Sequence, residues 1–287
     1  MKKSILVFFI LLFLGASLLF AGNGDDSSLL NSPESSVKVF LETEQGFLSV
    51  LFHTLQFGED GTNFDYRTMG GQEILYPFER YLAGVEIRDK HRISFLYQPL
   101  TLTTFVRFKE QVVIDDVTFP QGTPMELTYG FPFYRVTYGF DFLKDKDLDL
   151  GVGGALQLRN ASIRFRDLSG DNLTVNQNLG PVPALYFFAA YNFPSGLHLY
   201  AEATGLYASS SIINGANFEF EGSILDASLR MGYQLKQGLV IFGNLRFLGG
   251  SAMGVSQYPD RFWTEGVENY TANYLGVLTF SLGATIN

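Results

Sequence analysis

The chain has 287 residues, enough for one large β domain or two small ones, and its 29 acidic and 20 basic side chains give a net charge of −9. That acidity excludes the basic footprint of a nucleic-acid binder. The absence of cysteine excludes a disulfide framework and a cysteine-linked lipid anchor.

The N-terminus reads MKKSILVFFILLFLGASLLFAGNGDD. Two lysines, an apolar run and then small residues predict a secretory signal peptide over residues 1–22. Its removal takes Lys2 and Lys3 away and the net charge from −9 to −11. Residues 23–45 are expected to be a polar lead-in, and residues 46–287 the folded body.

That body has no stretch approaching the roughly 20 apolar residues of a membrane helix. Yet 46% of the whole chain is hydrophobic, with 28 Phe, 15 Tyr and 30 Gly. Alternating strands closed into a barrel are the remaining way to place such a chain in a bilayer, because closure pairs every backbone group. The alternation is visible along DLDLGVGGALQL (147–158), where Leu148, Leu150, Val152, Gly154, Leu156 and Leu158 are apolar or small. It recurs from Leu197 to Tyr207, from Leu225 to Leu235 and from Tyr270 to Ala284, with aromatics at several stripe ends.

Ten strands are expected, near 46–57, 79–88, 92–112, 124–142, 148–166, 181–193, 197–208, 217–235, 239–249 and 270–286, with eight or twelve as alternatives. Short connections (RDKH, KDKD, PSG, KQG) alternate with longer ones at 58–77, 115–123, 167–179, 209–216 and 250–269, the pattern of an up-and-down barrel with short periplasmic turns and long outer loops. The PSG and KQG turns set Phe193 across from Leu197, and Leu235 across from Leu239. An apolar phase switch between Leu158 and Ala161 suggests a bulge at Asn160. The segment GFLSVLFHTLQFG alternates poorly and leaves the face of His53 open. A soluble exported β-barrel or sandwich predicts the same alternation, but not the loop asymmetry.

The inward positions carry both signs of charge: Arg80, Glu86, Arg135, Asp141, Asp149, Arg159, Glu202, Asp226, Arg230 and Arg246. A ten-stranded barrel is little wider than one that side chains fill, so these are read as a lumen charge network rather than a permeation path. Tyr186, Phe188, Tyr200 and Phe242 also point inward and leave room for a small apolar ligand. His53, His91 and His198 are read as structural, since no pattern of nucleophile, base and orienting acid accompanies them. No catalytic residue is assigned, and no cofactor or metal ion is expected. DGTNFD (60–65) could offer a weak calcium site, although such runs are more often turns. The loop at 250–269 holds Tyr258, Arg261, Phe262 and Trp263, residue types enriched at binding hot spots.

The phrases HTLQFGEDGTNFDYRTMGGQEILYPF (53–78), VTFPQGTP (117–124), GPVPAL (180–185), ILDASLRMGYQL (224–235) and NLRFLGG (244–250) carry a resemblance. The chain resembles a poorly characterised family of outer-membrane β-barrel proteins of diderm (Gram-negative) bacteria, and its layout is similar to small barrels such as outer-membrane protein W. It departs from such barrels in ending on Asn287 rather than an aromatic residue. The resemblance implies fold and location more than activity. The expectation is a monomer in contact with outer-membrane lipid, with a structural or surface-binding role on the outer loops. The alternatives are a transporter of small, hydrophobic molecules and an outer-membrane enzyme.

Overall fold

A computed structural model of the chain describes residues 37–58, 60–115, 117–143, 147–170, 172–209, 220–236, 238–255 and 270–286. The expected signal peptide lies outside the described residues.

The fold is all-β. Ten strands form a closed antiparallel ring: β1 (Val37–Phe57), β3 (Leu75–Ile87), β4 (His91–Gln98), β9 (Phe133–Asp141), β10 (Leu148–Asp167), β11 (Leu173–Asn192), β12 (Leu197–Ser209), β13 (Phe220–Lys236), β14 (Leu239–Val255) and β15 (Tyr270–Ile286). Each pairs with its predecessor, and β15 closes on β1, from Leu41 opposite Ile286 to Phe57 opposite Thr271. The ring is the barrel expected from the alternation.

Several boundaries differ from the sequence-based expectation. The first strand begins at Val37, not near residue 46, so residues 37–45 belong to the barrel wall; Val37 lies opposite Ile87 and Glu44 opposite Arg80. The segment expected at 92–112 breaks after Gln98 and resumes as β5 (Thr101–Arg107), and the one at 124–142 divides into β8 (Pro124–Gly130) and β9. Pro99 and Pro132 sit in these breaks, where a missing N–H interrupts the ladder. Beyond them β8 pairs with the outer half of β10, and β5 pairs with β8. The hairpin of β6 (Val112–Ile114) and β7 (Val117–Phe119) lies between β5 and β8, and β2 (Phe64–Asp65) pairs with the outer part of β1. The expected loop at 167–179 is mostly strand, since the β10–β11 ladder continues to Arg166 opposite Leu173.

There is no bulge at Asn160. The β10–β11 register runs unbroken from Leu148 opposite Tyr191 to Arg166 opposite Leu173, and β10 keeps its odd-numbered residues inward. The apolar residues change sides because the surroundings change. In the half nearer the short turns, Val152, Leu156 and Leu158 point out and Gln157 points in. In the half nearer the long loops, Ile163 and Phe165 point in, and Arg164 and Arg166 point out. The irregularity that does exist is in β1, where the register on β15 shifts between Val50 and Phe52. Leu51 and Phe52 are both exposed, and the phase beyond them turns His53 inward. That shift explains the poor alternation of GFLSVLFHTLQFG.

Two short turns fix register at the opposite end. Phe193 N–H donates to the Leu197 carbonyl at 2.9 Å, and Gly196 takes φ +86°. In the β13–β14 hairpin, Gln234 lies opposite Val240, which puts Leu235 in line with Leu239; at the turn the register shifts and Lys236 faces Leu239 instead. Gly238, at φ +80°, supplies the left-handed residue this turn requires.

Candidate functional site

The interior is filled in two tiers, with a cavity beneath them. The tier nearest the long loops is apolar. Phe64 and Tyr66, carried in by β2 and the turn after it, pack on Phe165 with ring centroids 5.2 and 5.7 Å apart, and Phe108 closes on Phe64 at 5.7 Å. Leu48, Leu55, Phe119, Leu127 and Phe133 are buried in the same cluster. His53 enters this tier as a packed ring. It stacks on Tyr66 at 4.2 Å, meets Tyr129 edge-on at 4.3 Å, and its Nδ1 lies 2.7 Å from Gln72 Oε1. Burial holds the Tyr66 hydroxyl well above its ordinary pKa range. Thr104 Oγ1 donates to the Gly70 carbonyl at 2.6 Å and ties this inserted segment to β5.

The middle tier is ionic. Glu44, fully buried, lies 3.3 Å from Arg230, 3.4 Å from Arg80 and 3.4 Å from Arg246, and accepts hydrogen bonds from Asn244 and Ser281 at 2.7 and 2.8 Å. Asp226 accepts from Arg246 at 2.5 Å, Arg135 at 2.8 Å and Arg80 at 3.5 Å. Glu202 accepts from Arg246 at 2.9 Å and Arg80 at 3.3 Å. Glu42 holds Arg230 in a two-point pair, both contacts 2.6 Å. The four carboxylates thus meet the four guanidinium groups of Arg80, Arg135, Arg230 and Arg246 with no residual charge. Arg135 also donates to Gln157 at 2.7 and 3.0 Å. The alternating inward positions of β1, β3, β9, β12, β13 and β14 converge at one height. There the narrow ring gives long side chains no route to bulk water, so they pair.

Of the residues expected in a lumen network, Arg80, Arg135, Glu202, Asp226, Arg230 and Arg246 come together in this tier. Arg159 lies apart, over the Phe131 ring at 5.4 Å and beside a small pocket near the apolar tier. Glu86, Asp141 and Asp149 line a cavity at the short-turn end. Glu42 and Glu44 were missed, although Phe40, Glu42 and Glu44 alternate with Leu41 and Thr43 in the sequence.

His91 lies 2.9 Å from the Tyr138 hydroxyl, and His198 stacks on Tyr200 at 6.2 Å. In DGTNFD, Asp65 Oδ1 accepts the backbone N–H of Arg67 at 2.8 Å and so caps its own turn. Tyr258, Arg261, Phe262 and Trp263 lie outside the described residues.

No family model and no curated protein sequence matches the chain. Among solved structures, the chain is similar to the outer membrane protease OmpT from Escherichia coli, with TM-score 0.47 and 10% identity over 86% of this chain and 96% of that one. It is similar to OprG from Pseudomonas aeruginosa at TM-score 0.32 and 11% identity, over 86% and 96%. It is also similar to the toluene transporter TodX of P. putida at TM-score 0.31 and 9% identity, over 92% and 94%.

Proposed function

We propose that the protein is an integral outer-membrane barrel that does not conduct, and that its role, structural or surface-binding, is carried by its long-loop end. The observation that carries this reading is the reversal of polarity along the wall. Where the outward face is apolar, with Phe95, Val136, Leu156, Phe187, Leu245 and Phe280 exposed, the inward face holds the neutralised ion network. A soluble barrel would put its apolar face inside at every height. Along β10 the inside turns apolar toward the long loops, with Ile163 and Phe165 inward, while Arg164 and Arg166 point outward. Two closed tiers then block the axis, and the outer rim is left as the surface offered to partners.

Planar-bilayer recording tests the closed axis. The purified barrel is expected to insert without steady conductance at any moderate voltage. A reproducible open level from the unmodified protein would overturn the reading, as would a chain that stays folded and monodisperse without detergent or lipid.

A second reading, passage of small apolar molecules through the wall, is favoured by one observation. The β11–β12 ladder stops at Leu185 opposite Gly205, although both strands continue toward the long loops. Pro181 and Pro183 sit in β11 just beyond that point and have no N–H to donate. The small pocket beside Arg159 and Ile224 lies at this height, since Arg159 faces Gly180 and Ile224 faces Leu206 across the neighbouring ladders. Uptake of a radiolabelled monoaromatic hydrocarbon into proteoliposomes above the protein-free rate would favour this reading. An unchanged rate would remove it.

A further inference from the structure

Below the ion network the lumen opens, at the short-turn end, into a cavity of about 260 Å³. Its walls are aromatic where Phe188, Tyr200 and Phe242 face it. Part of its charge is internally settled, because Glu42 and Arg230 hold each other. Two other groups make no hydrogen bond or ion pair with a protein side chain among the described residues, although Glu86 stands across the ladder from Arg92. Arg92 lies over the Phe40 ring at 4.2 Å and faces the Tyr200 ring at 5.7 Å, with no carboxylate at ion-pair distance among the described residues. His198 stacks along the same Tyr200 ring, and its buried Nδ1 has no hydrogen-bond partner among the described residues. Arg92 from β4 and His198 from β12 therefore converge on one aromatic platform from separate parts of the ring. Asp141, on β9 beside β4, lines the same cavity; it is buried, and its carboxylate accepts the Leu143 backbone N–H at 3.1 Å.

We propose that this cavity binds a small aromatic zwitterion of amino-acid size, its carboxylate held by Arg92 and His198 and its ammonium group by Asp141. The charge pattern selects this class. A plain anion would meet Arg92 and Lys90 but be repelled by Glu86, Asp141 and Asp149; a plain cation would meet Asp141 but be repelled by Arg92, Arg230 and Lys90. A zwitterion satisfies both, and the flat walls suit a ring. The volume lies below the roughly 300–1,000 Å³ of sites for larger ligands, which favours a single amino acid over a peptide. The site is independent of the outer role, since the two filled tiers separate it from the long-loop end.

Titration calorimetry on the full chain refolded in detergent micelles tests the proposal, with L-phenylalanine as probe. Saturable binding is expected, and phenylacetate and phenethylamine, each lacking one charge, should bind at least about tenfold more weakly. Arg92→Gln and Asp141→Asn should each weaken L-phenylalanine by at least about tenfold, with the barrel still shown folded by its circular dichroism and gel mobility. Three outcomes overturn the proposal: no heat with L-phenylalanine up to about 10 mM, phenylacetate binding as well as L-phenylalanine, or unchanged affinity in folded Arg92→Gln. None of them depends on whether the barrel conducts.

Discussion

Asp226→Asn is expected to destabilise the barrel by about 3–5 kcal/mol, measured by urea unfolding in lipid vesicles. The side chain keeps its size and one carbonyl oxygen, so the loss is that of the charge and of one acceptor, since both carboxylate oxygens accept from guanidinium groups. Asp226 faces the guanidinium groups of Arg246, Arg135 and Arg80. Once it is neutral, Glu44 and Glu202 are left to serve Arg80 and Arg246, and Arg135 retains its uncharged partner Gln157. An uncompensated guanidinium in a low-dielectric interior costs more than the original pair contributed. Adding Arg246→Met to Asp226→Asn removes one surplus charge, and the double variant is expected to recover part of the lost stability. Costs that simply add, with no coupling between the two positions, would sink the account of the middle tier as one cooperative network.

That network also marks where the sequence was legible and where it was not. The inward phase of β12, β13 and β14 could be read because lipid and lumen are so unlike that the residue types separate every second position. Pairing across the barrel could not be read. Glu42 and Arg230 are 188 positions apart, and nothing local to either announces the other. Glu42 and Glu44 look like a polar linker because the outward stripe of Val37, Val39 and Leu41 breaks off at Thr43 and Gln45. The misread at Asn160 has a related cause. A change in apolar phase has two explanations, a bulge or a change of surroundings, and only the pairing register separates them. The apolar tier was hidden for a third reason. Phe64, Tyr66, Phe108 and Phe119 sit in short or irregular segments without periodicity, and they become a core only when the β2 turn and the β6–β7 hairpin fold against β1 and β10. Cooperative filling of this kind is a long-range property.

Leu229→Arg is expected to cost about 2–4 kcal/mol in the same unfolding assay, because Leu229 stands near the middle of the apolar band. It is 61% exposed and lies between Ala201 of β12 and Leu245 of β14, so an arginine there has only hydrocarbon beside it. The control must separate lipid from other penalties. Ser228 does not serve, since it is buried directly opposite Arg246, and a second guanidinium there would be repelled by the first. Thr103 serves better. It is exposed on β5, in the outer half of the fold where Arg164 and Arg166 already point outward. Thr103→Arg should change stability by no more than about 0.5 kcal/mol. The prediction is thus a difference with height along the wall. If both arginines are tolerated equally, the outward apolar band does not face lipid, and the barrel must cover it with protein instead. If both are equally costly, the band reaches further toward the long loops than the polarity reversal of β10 implies.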